Sequence, residues 1–158
     1  YNTSSKSYGR DALIINDKGD FEFIIPVTKE NWEAYTGTAR EAFSFGPALI
    51  VDNETVLVES SSPSMSAPES RCQRMCIAQT GPLEYMALCC AGPMRGSAGM
   101  DLEQFANLAK ELGAKMAYNL DGGISTQLLF LGRRINNTSG DARKLVDIVY
   151  FASAYQPD

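Results

Sequence analysis

Asn119-Leu120-Asp121-Gly122-Gly123, with Ser125 and Thr126 close behind, gathers an amide, a carboxylate, paired glycines and hydroxyls in one short stretch. Residues 114–120 read as a strand that runs into this turn, so Asn119 and Asp121 stand at a strand end. Paired glycines let backbone amides of Gly122 and Gly123 approach a ligand and point at an anion, as phosphate-cradling turns do. A second reading needs no ligand: in an Asp-Gly turn the carboxylate bonds its own backbone. Arginine is the side chain best suited to hold a phosphate, because its planar guanidinium grips two oxygens at once. Arg74 and Arg71 flank the start of a β-like run, where the residues alone read as solvated strand positions.

The rest of the composition narrows the chemistry. There is no histidine among the 158 residues, which removes the usual general base, nucleophile activator and commonest metal ligand together. Catalysis within this chain must therefore rest on carboxylates, arginines, hydroxyls, backbone amides or a bound cation. A formal charge of -5 disfavours nucleic acid as a partner. No apolar run approaches the roughly 20 residues of a membrane-spanning helix. Cys72, Cys76, Cys89 and Cys90 are spaced as C-x3-C and a vicinal pair, which suits tetrahedral zinc poorly, so the expectation is small buried hydrophobes rather than a metal site.

Around these residues the apolar pattern predicts an α+β fold: an antiparallel or mixed sheet built from several hairpins, with one long helix. Residues 12–16 and 21–25 flank a polar turn with glycine, residues 45–51 and 55–58 a second, and residues 75–80 and 83–91 a Gly81-Pro82 turn. Residues 29–34 could make a short helix, and the Ser/Pro-rich residues 60–70 a loop. Leu102, Phe105, Ala106, Ala109 and Leu112 repeat at helical spacing, with Asp101 and Gln104 at capping-box positions and Gly113 as a left-handed stop. Residues 127–131 and 134–136 form another hairpin about Gly132-Arg133, and residues 145–152 a final apolar strand. The length fits a single domain over residues 1–158.

Asn119-Leu120-Asp121-Gly122-Gly123-Ile124-Ser125, reached from a helix ending Leu112-Gly113-Ala114, resembles the signature of the phosphodiester glycosidase family. Other pieces match in the same order. Phe45-Gly46-Pro47-Ala48-Leu49-Ile50 resembles the family's Gly-Pro-x-Leu strand, and Gln73-Arg74-Met75-Cys76-Ile77-Ala78 its Pro-Arg-Thr-Ala-Ile-Gly segment. Gly99-Met100-Asp101-Leu102 resembles its helix start, and Arg143 with Val146 its closing Arg-x-Val strand. Ile124, Met75, Ala78 and Gln73 depart from the common residues, and the family's upstream segment is not matched. The resemblance thus implies that a preceding segment, or a second chain, completes the sheet.

What the resemblance implies about function is a hydrolase that cleaves the glycosidic bond of a sugar-1-phosphodiester, N-acetylglucosamine-1-phosphodiester or a bacterial surface phosphoglycan, outside the cytoplasm. Asp121 and Arg74 would be catalytic; Asn119, Gly122, Gly123, Ser125, Thr126 and Arg71 would bind substrate; Arg143 would be structural near the closing strand. No cofactor is required, although a divalent cation such as calcium or magnesium could bridge carboxylate and phosphate. The alternative is a carbohydrate- or phosphoglycan-binding module without turnover, for which the Ile124 and Met75 departures speak. Asp121, Asn119 and Arg74 are expected to line one cleft.

Overall fold

The computed structural model describes residues 9–56, 69–137 and 141–152. Its first unit is the expected hairpin: β1 (Ala12–Asn16) pairs antiparallel with β2 (Phe21–Ile24). The turn closes on Asn16, whose side-chain oxygen accepts from the Lys18 and Asp20 amides at 2.9 and 3.0 Å, while Gly19 takes φ +89°. A strand that the sequence pattern did not suggest, β3 (Ala39–Ser44), adds to the other edge of β1. Its first half is polar and exposed, so it lacks the alternation that marks a half-buried strand. Between β2 and β3 lies α1 (Lys29–Ala34), capped by the Thr28 hydroxyl, which accepts from the Asn31 amide at 3.0 Å.

The second sheet carries the candidate residues. Its strands are β4 (Ala48–Val51), β5 (Glu54–Thr55), β6 (Arg74–Gly81), β7 (Glu84–Cys90) and, after two small strands β8 (Pro93–Met94) and β9 (Ser97–Ala98), β10 (Met116–Leu120). The order is β5-β4-β10-β6-β7, all antiparallel, so β10 is central although it comes last. The β6–β7 hairpin turns at Pro82-Leu83, with Leu83 at φ +57°. Of the second predicted hairpin, β4 and a two-residue β5 are present, and residues 57–58 lie outside the described residues, as does most of the 60–70 loop. The last hairpin, β11 (Leu129–Phe130) and β12 (Arg133–Arg134), turns at Leu131-Gly132, both at positive φ, one residue earlier than the sequence suggests.

Helix α2 (Leu102–Glu111) starts and stops where expected. Asp101 accepts from the Gln104 amide at 2.8 Å, and Gly113 follows the helix at φ +93°. Its buried face, Leu102, Phe105, Ala106 and Ala109, packs on Leu49, Ile50, Cys76, Ala78 and Ala117 of the sheet. Truncating a buried phenylalanine such as Phe105 costs about 3–5 kcal/mol, against at most about 1 kcal/mol for an exposed ion pair such as Lys110–Glu54. The apolar seam holds α2 down. On the opposite face of the sheet, Ala48, Ile77 and Tyr118 meet Leu13 and Phe21 of the first sheet, and that sheet's outer face receives Trp32 and Tyr35 beside α1.

The layers therefore run α1, three-stranded sheet, five-stranded sheet, α2. This is an α+β architecture dominated by strands, with all described strand pairs antiparallel and a main helix of only ten residues. The strand expected over residues 145–152 is not there. These residues pair with no strand among those described, and Val146, Ile148 and Tyr150 are exposed, while Phe151 stacks on Tyr85 at 5.5 Å between ring centroids. An apolar run becomes a strand only where a neighbouring backbone offers matching N–H and C=O groups.

Tyr118 joins the two sheets. Its buried hydroxyl accepts from the Phe45 amide at 2.7 Å and donates to the Asp11 carbonyl at 2.8 Å, with the Phe43 carbonyl at 3.1 Å as a second acceptor. Tyr118→Phe should destabilise the protein by about 1–3 kcal/mol, because the Phe45 amide loses its acceptor without gaining water; the denaturant midpoint measures it. Asp11, also buried, accepts from the Ala48 amide at 2.9 Å. Burial pushes its carboxyl above the ordinary range, against the lowering effect of that amide. A raised folded-state value favours the protonated form, so its stabilising effect is full below about pH 4 and is lost as pH rises through the raised value. Stability of the wild type minus that of Asp11→Asn should fall as pH rises above about 4, as paired unfolding curves would record.

Candidate active site

Strand alternation places Arg74, Cys76 and Ala78 of β6 and Ala117 and Asn119 of β10 on the face that packs toward α2. Asn119 is opposite Cys76 and Leu120 opposite Met75. Continuing that register one residue would set Asp121 opposite Arg74, and another would set Gly122 opposite Gln73. The regular ladder stops at Leu120 and Met75, and the turn stays against the start of β6 through an offset contact. The Gly123 amide donates to the Gln73 carbonyl at 2.9 Å, and a Cβ at Gly122 would come within 2.6 Å of the same oxygen.

After the glycines the chain makes a single 3-10 turn, Gly123–Ser125, closed by Ser125 N–H to Gly122 O and Thr126 N–H to Gly123 O, each 3.1 Å. The amides of Gly123, Ser125 and Thr126 are thus engaged within the protein. The hydroxyls are not: Ser125 Oγ and Thr126 Oγ1 are buried with no hydrogen-bond partner among the described residues. Asn136 staples the far side, its amide donating to Thr126 O and accepting from the Leu128 amide, both at 2.8 Å. Asn119 is buried as well, donating from Nδ2 to the Gly46 carbonyl at 2.9 Å, while its backbone amide reaches Pro47 O.

Arg74 is not a solvated strand residue. Only 5% of it is exposed, and its guanidinium donates from Nε to Met100 O at 3.2 Å and from Nη2 to Ser70 O at 2.8 Å. Those carbonyls belong to the segments just before α2 and β6, so Arg74 ties the helix start to the strand start. Arg71 stands apart and exposed, its Nη2 lying 2.8 Å from the side-chain amide of Gln104 in the first turn of α2.

Asp121 is half-exposed and does not cap its own turn. Its carboxylate faces Arg143, Nη1 to Oδ2 3.8 Å, with 57% of the arginine and 51% of the aspartate side chain open to solvent. The Arg143 amide donates to Ile124 O at 3.1 Å, and Gln127 Nε2 donates to Arg143 O at 2.7 Å. Expected at a closing strand, Arg143 is instead set against the glycine turn. Its resemblance, with Val146, to the family's closing strand marked it in the sequence, but 21 residues separate it from Asp121 and no local rule joins them. Gln73, where the family commonly has proline, is 2% exposed beneath the turn and accepts from it, a role its residue type does not signal.

The cysteines are free thiols. Burial pushes the Cys76 thiol up to about 12 and raises Cys89 and Cys90 as well, so these groups stay protonated and weakly nucleophilic. Among the described residues no group of three or more His, Cys, Asp or Glu side chains is placed to hold a metal ion. No described helix is long and apolar enough to cross a membrane.

Comparison with known proteins bears on the fold and the family. The catalytic domain of zebrafish N-acetylglucosamine-1-phosphodiester alpha-N-acetylglucosaminidase, auto-inhibited by its pro-peptide, superposes with a TM-score of 0.65 at 16% identity, over 82% of this chain and 45% of that one. A hypothetical protein from Synechocystis superposes with a TM-score of 0.56 at 20% identity, over 82% of this chain and 31% of the other. At such identities the likeness shows a shared fold, and this chain spans less than half the length of either. No curated protein matches. The family profile described as phosphodiester glycosidase matches residues 1–152. The chain belongs to the phosphodiester glycosidase family.

Proposed function

We propose that this chain carries the site of a hydrolase that cleaves the glycosidic bond of a sugar-1-phosphodiester, with N-acetylglucosamine-1-phosphodiester or a bacterial surface phosphoglycan as substrate and an extracytoplasmic place of action. The observation that supports the reading is the turn after β10: a half-exposed carboxylate, Asp121, follows the strand that pairs with β6, whose first residue is the buried Arg74, and buried hydroxyls without partners among the described residues lie in the same turn. Family membership supplies the reaction class, and the name of the zebrafish relative supplies the sugar.

The chemistry suits a chain without histidine. In the reaction a water oxygen bonds to the sugar C1, the bond from C1 to the phosphate oxygen breaks, and the phosphomonoester departs with the electron pair. Ordinary glycosidases need one carboxyl group to protonate an alkoxide leaving group and another on the sugar side. A phosphomonoester leaves readily without prior protonation, so fixed positive charge replaces the acid. Arg74 supplies that charge in this reading. Asp121 serves the sugar side, receiving the proton of the attacking water or facing the oxocarbenium ion. Asn119, Gly122, Gly123, Ser125 and Thr126 form the turn that would receive the substrate, and Arg71, which stands apart beside α2, is assigned to its outer part.

The full-length protein should release reducing sugar from an N-acetylglucosamine-1-phosphodiester. Asp121→Asn should lower kcat by roughly 10²- to 10⁴-fold, the ordinary worth of a positioned acid or base, with substrate binding retained. Arg74→Ala should reduce binding and turnover together, and should also lower the melting temperature, since Ser70 O and Met100 O lose their donor. Unchanged turnover in Asp121→Asn would remove Asp121 from the mechanism. Saturable binding of the diester with no sugar released by the wild type would favour a binding module instead.

A further inference from the structure

We infer that Arg143 is the residue that contacts the substrate's phosphate, and that its ion pair with Asp121 is the resting state this contact builds on; the inference rests on the proposed function and assigns its anion subsite. Three observations lead there. The first is anchoring. Arg143 has both backbone groups committed at the glycine turn, its amide to Ile124 O and its carbonyl to Gln127 Nε2, so its position over the turn is fixed while its side chain stays half-exposed.

The second is availability. An arginine offers five N–H donors in a planar fork. Those of Arg74 point at the Ser70 and Met100 carbonyls in a buried site, so Arg74 contributes charge but is already committed to protein acceptors. Arg143 has one side-chain partner among the described residues, Asp121, at a separation of 3.8 Å too long for a tight hydrogen bond. Wide, exposed pairs of this kind contribute little to stability and exchange readily. A phosphodiester oxygen can therefore join Asp121 on the same guanidinium without displacing any buried bond.

The third is charge. The chain carries a net -5, and a phosphodiester anion brought beside the Asp121 carboxylate meets like charge. A cation shared between them removes that repulsion, which a guanidinium does with separate N–H groups for each oxygen set. The specificity that follows is for an anionic aglycone: a neutral glycoside of the same sugar gains nothing from Arg143.

The test compares full-length wild type, Arg143→Ala and Arg143→Lys on an N-acetylglucosamine-1-phosphodiester and on a neutral aryl glycoside of the same sugar. Arg143→Ala should raise KM for the diester by about tenfold or more, lose at least that much more on the diester than on the neutral glycoside, and keep the wild-type melting temperature. Arg143→Lys should recover part of the loss, and the salt dependence of kcat/KM should weaken in Arg143→Ala. An unchanged KM for the diester, or an equal loss on both substrates, overturns the inference while leaving the proposed function standing. If the wild type turns over neither substrate, the proposed function fails, and calorimetry with N-acetylglucosamine-1-phosphate decides the subsite. Binding lost in Arg143→Ala supports it, whereas equal binding in both proteins, or none in the wild type, rejects it.

Discussion

The carbonyl oxygen of Gln73 occupies the space where any side chain on residue 122 would begin. A Cβ at Gly122 would sit 2.6 Å from that oxygen, and the Gly123 amide then donates to it at 2.9 Å. Close approach and hydrogen bond together hold the turn against the start of β6 past the last regular pair of the ladder, instead of letting the chain peel away. Gln73 is itself pinned, since a Cβ at Gly92 would come within 2.8 Å of its side chain. Glycine at 92 and 122 is thus the condition for a packed Gln73, and a packed Gln73 is the condition for the turn.

From that contact the organisation spreads along β10. Tyr118 points into the space between the sheets, where its hydroxyl gathers Asp11, Phe43 and Phe45; Asn119, one residue on, points the other way and holds the Gly46 carbonyl. Adjacent residues of one central strand therefore fix the sandwich core and the wall of the candidate site. Strand alternation makes this economical, because a displacement of β10 by one residue would exchange the two faces and lose both sets of bonds.

Much of this frame was legible in the residues. The β1–β2 and β6–β7 hairpins follow from apolar runs around polar turns, and α2 was marked at both ends by Asp101 with Gln104 and by Gly113. The strand entering Asn119 was legible for the same reason. What failed needed a partner that local pattern does not show. β3 is a strand because β1 offers it an edge, despite the polar Arg40 and Glu41, whereas residues 145–152 have the composition of a strand and no described neighbour to pair with. Arg74 read alone as a solvated residue because its acceptors, Ser70 O and Met100 O, are backbone groups, and sequence does not reveal where a carbonyl points. The engagement of the Gly123 amide by the Gln73 carbonyl is invisible in the sequence on the same ground.

The buried Arg74 and the exposed Arg143 are not interchangeable parts. Removing a guanidinium from water is costly unless its donors find acceptors, and Arg74 meets that condition in part through the Ser70 and Met100 carbonyls. Such a residue supplies a steady field that solvent screens weakly, but it has little freedom to form new bonds. Arg143 is the converse: solvent screens its charge, Asp121 partly neutralises it, and its donors are exchangeable. In the proposed hydrolysis the negative charge on the departing oxygen grows as the C1–O bond lengthens, so the buried arginine acts most on the transition state and the exposed one on capture. In the proposed reading that separation suits a leaving group carrying its own charge and stands in for a histidine acid.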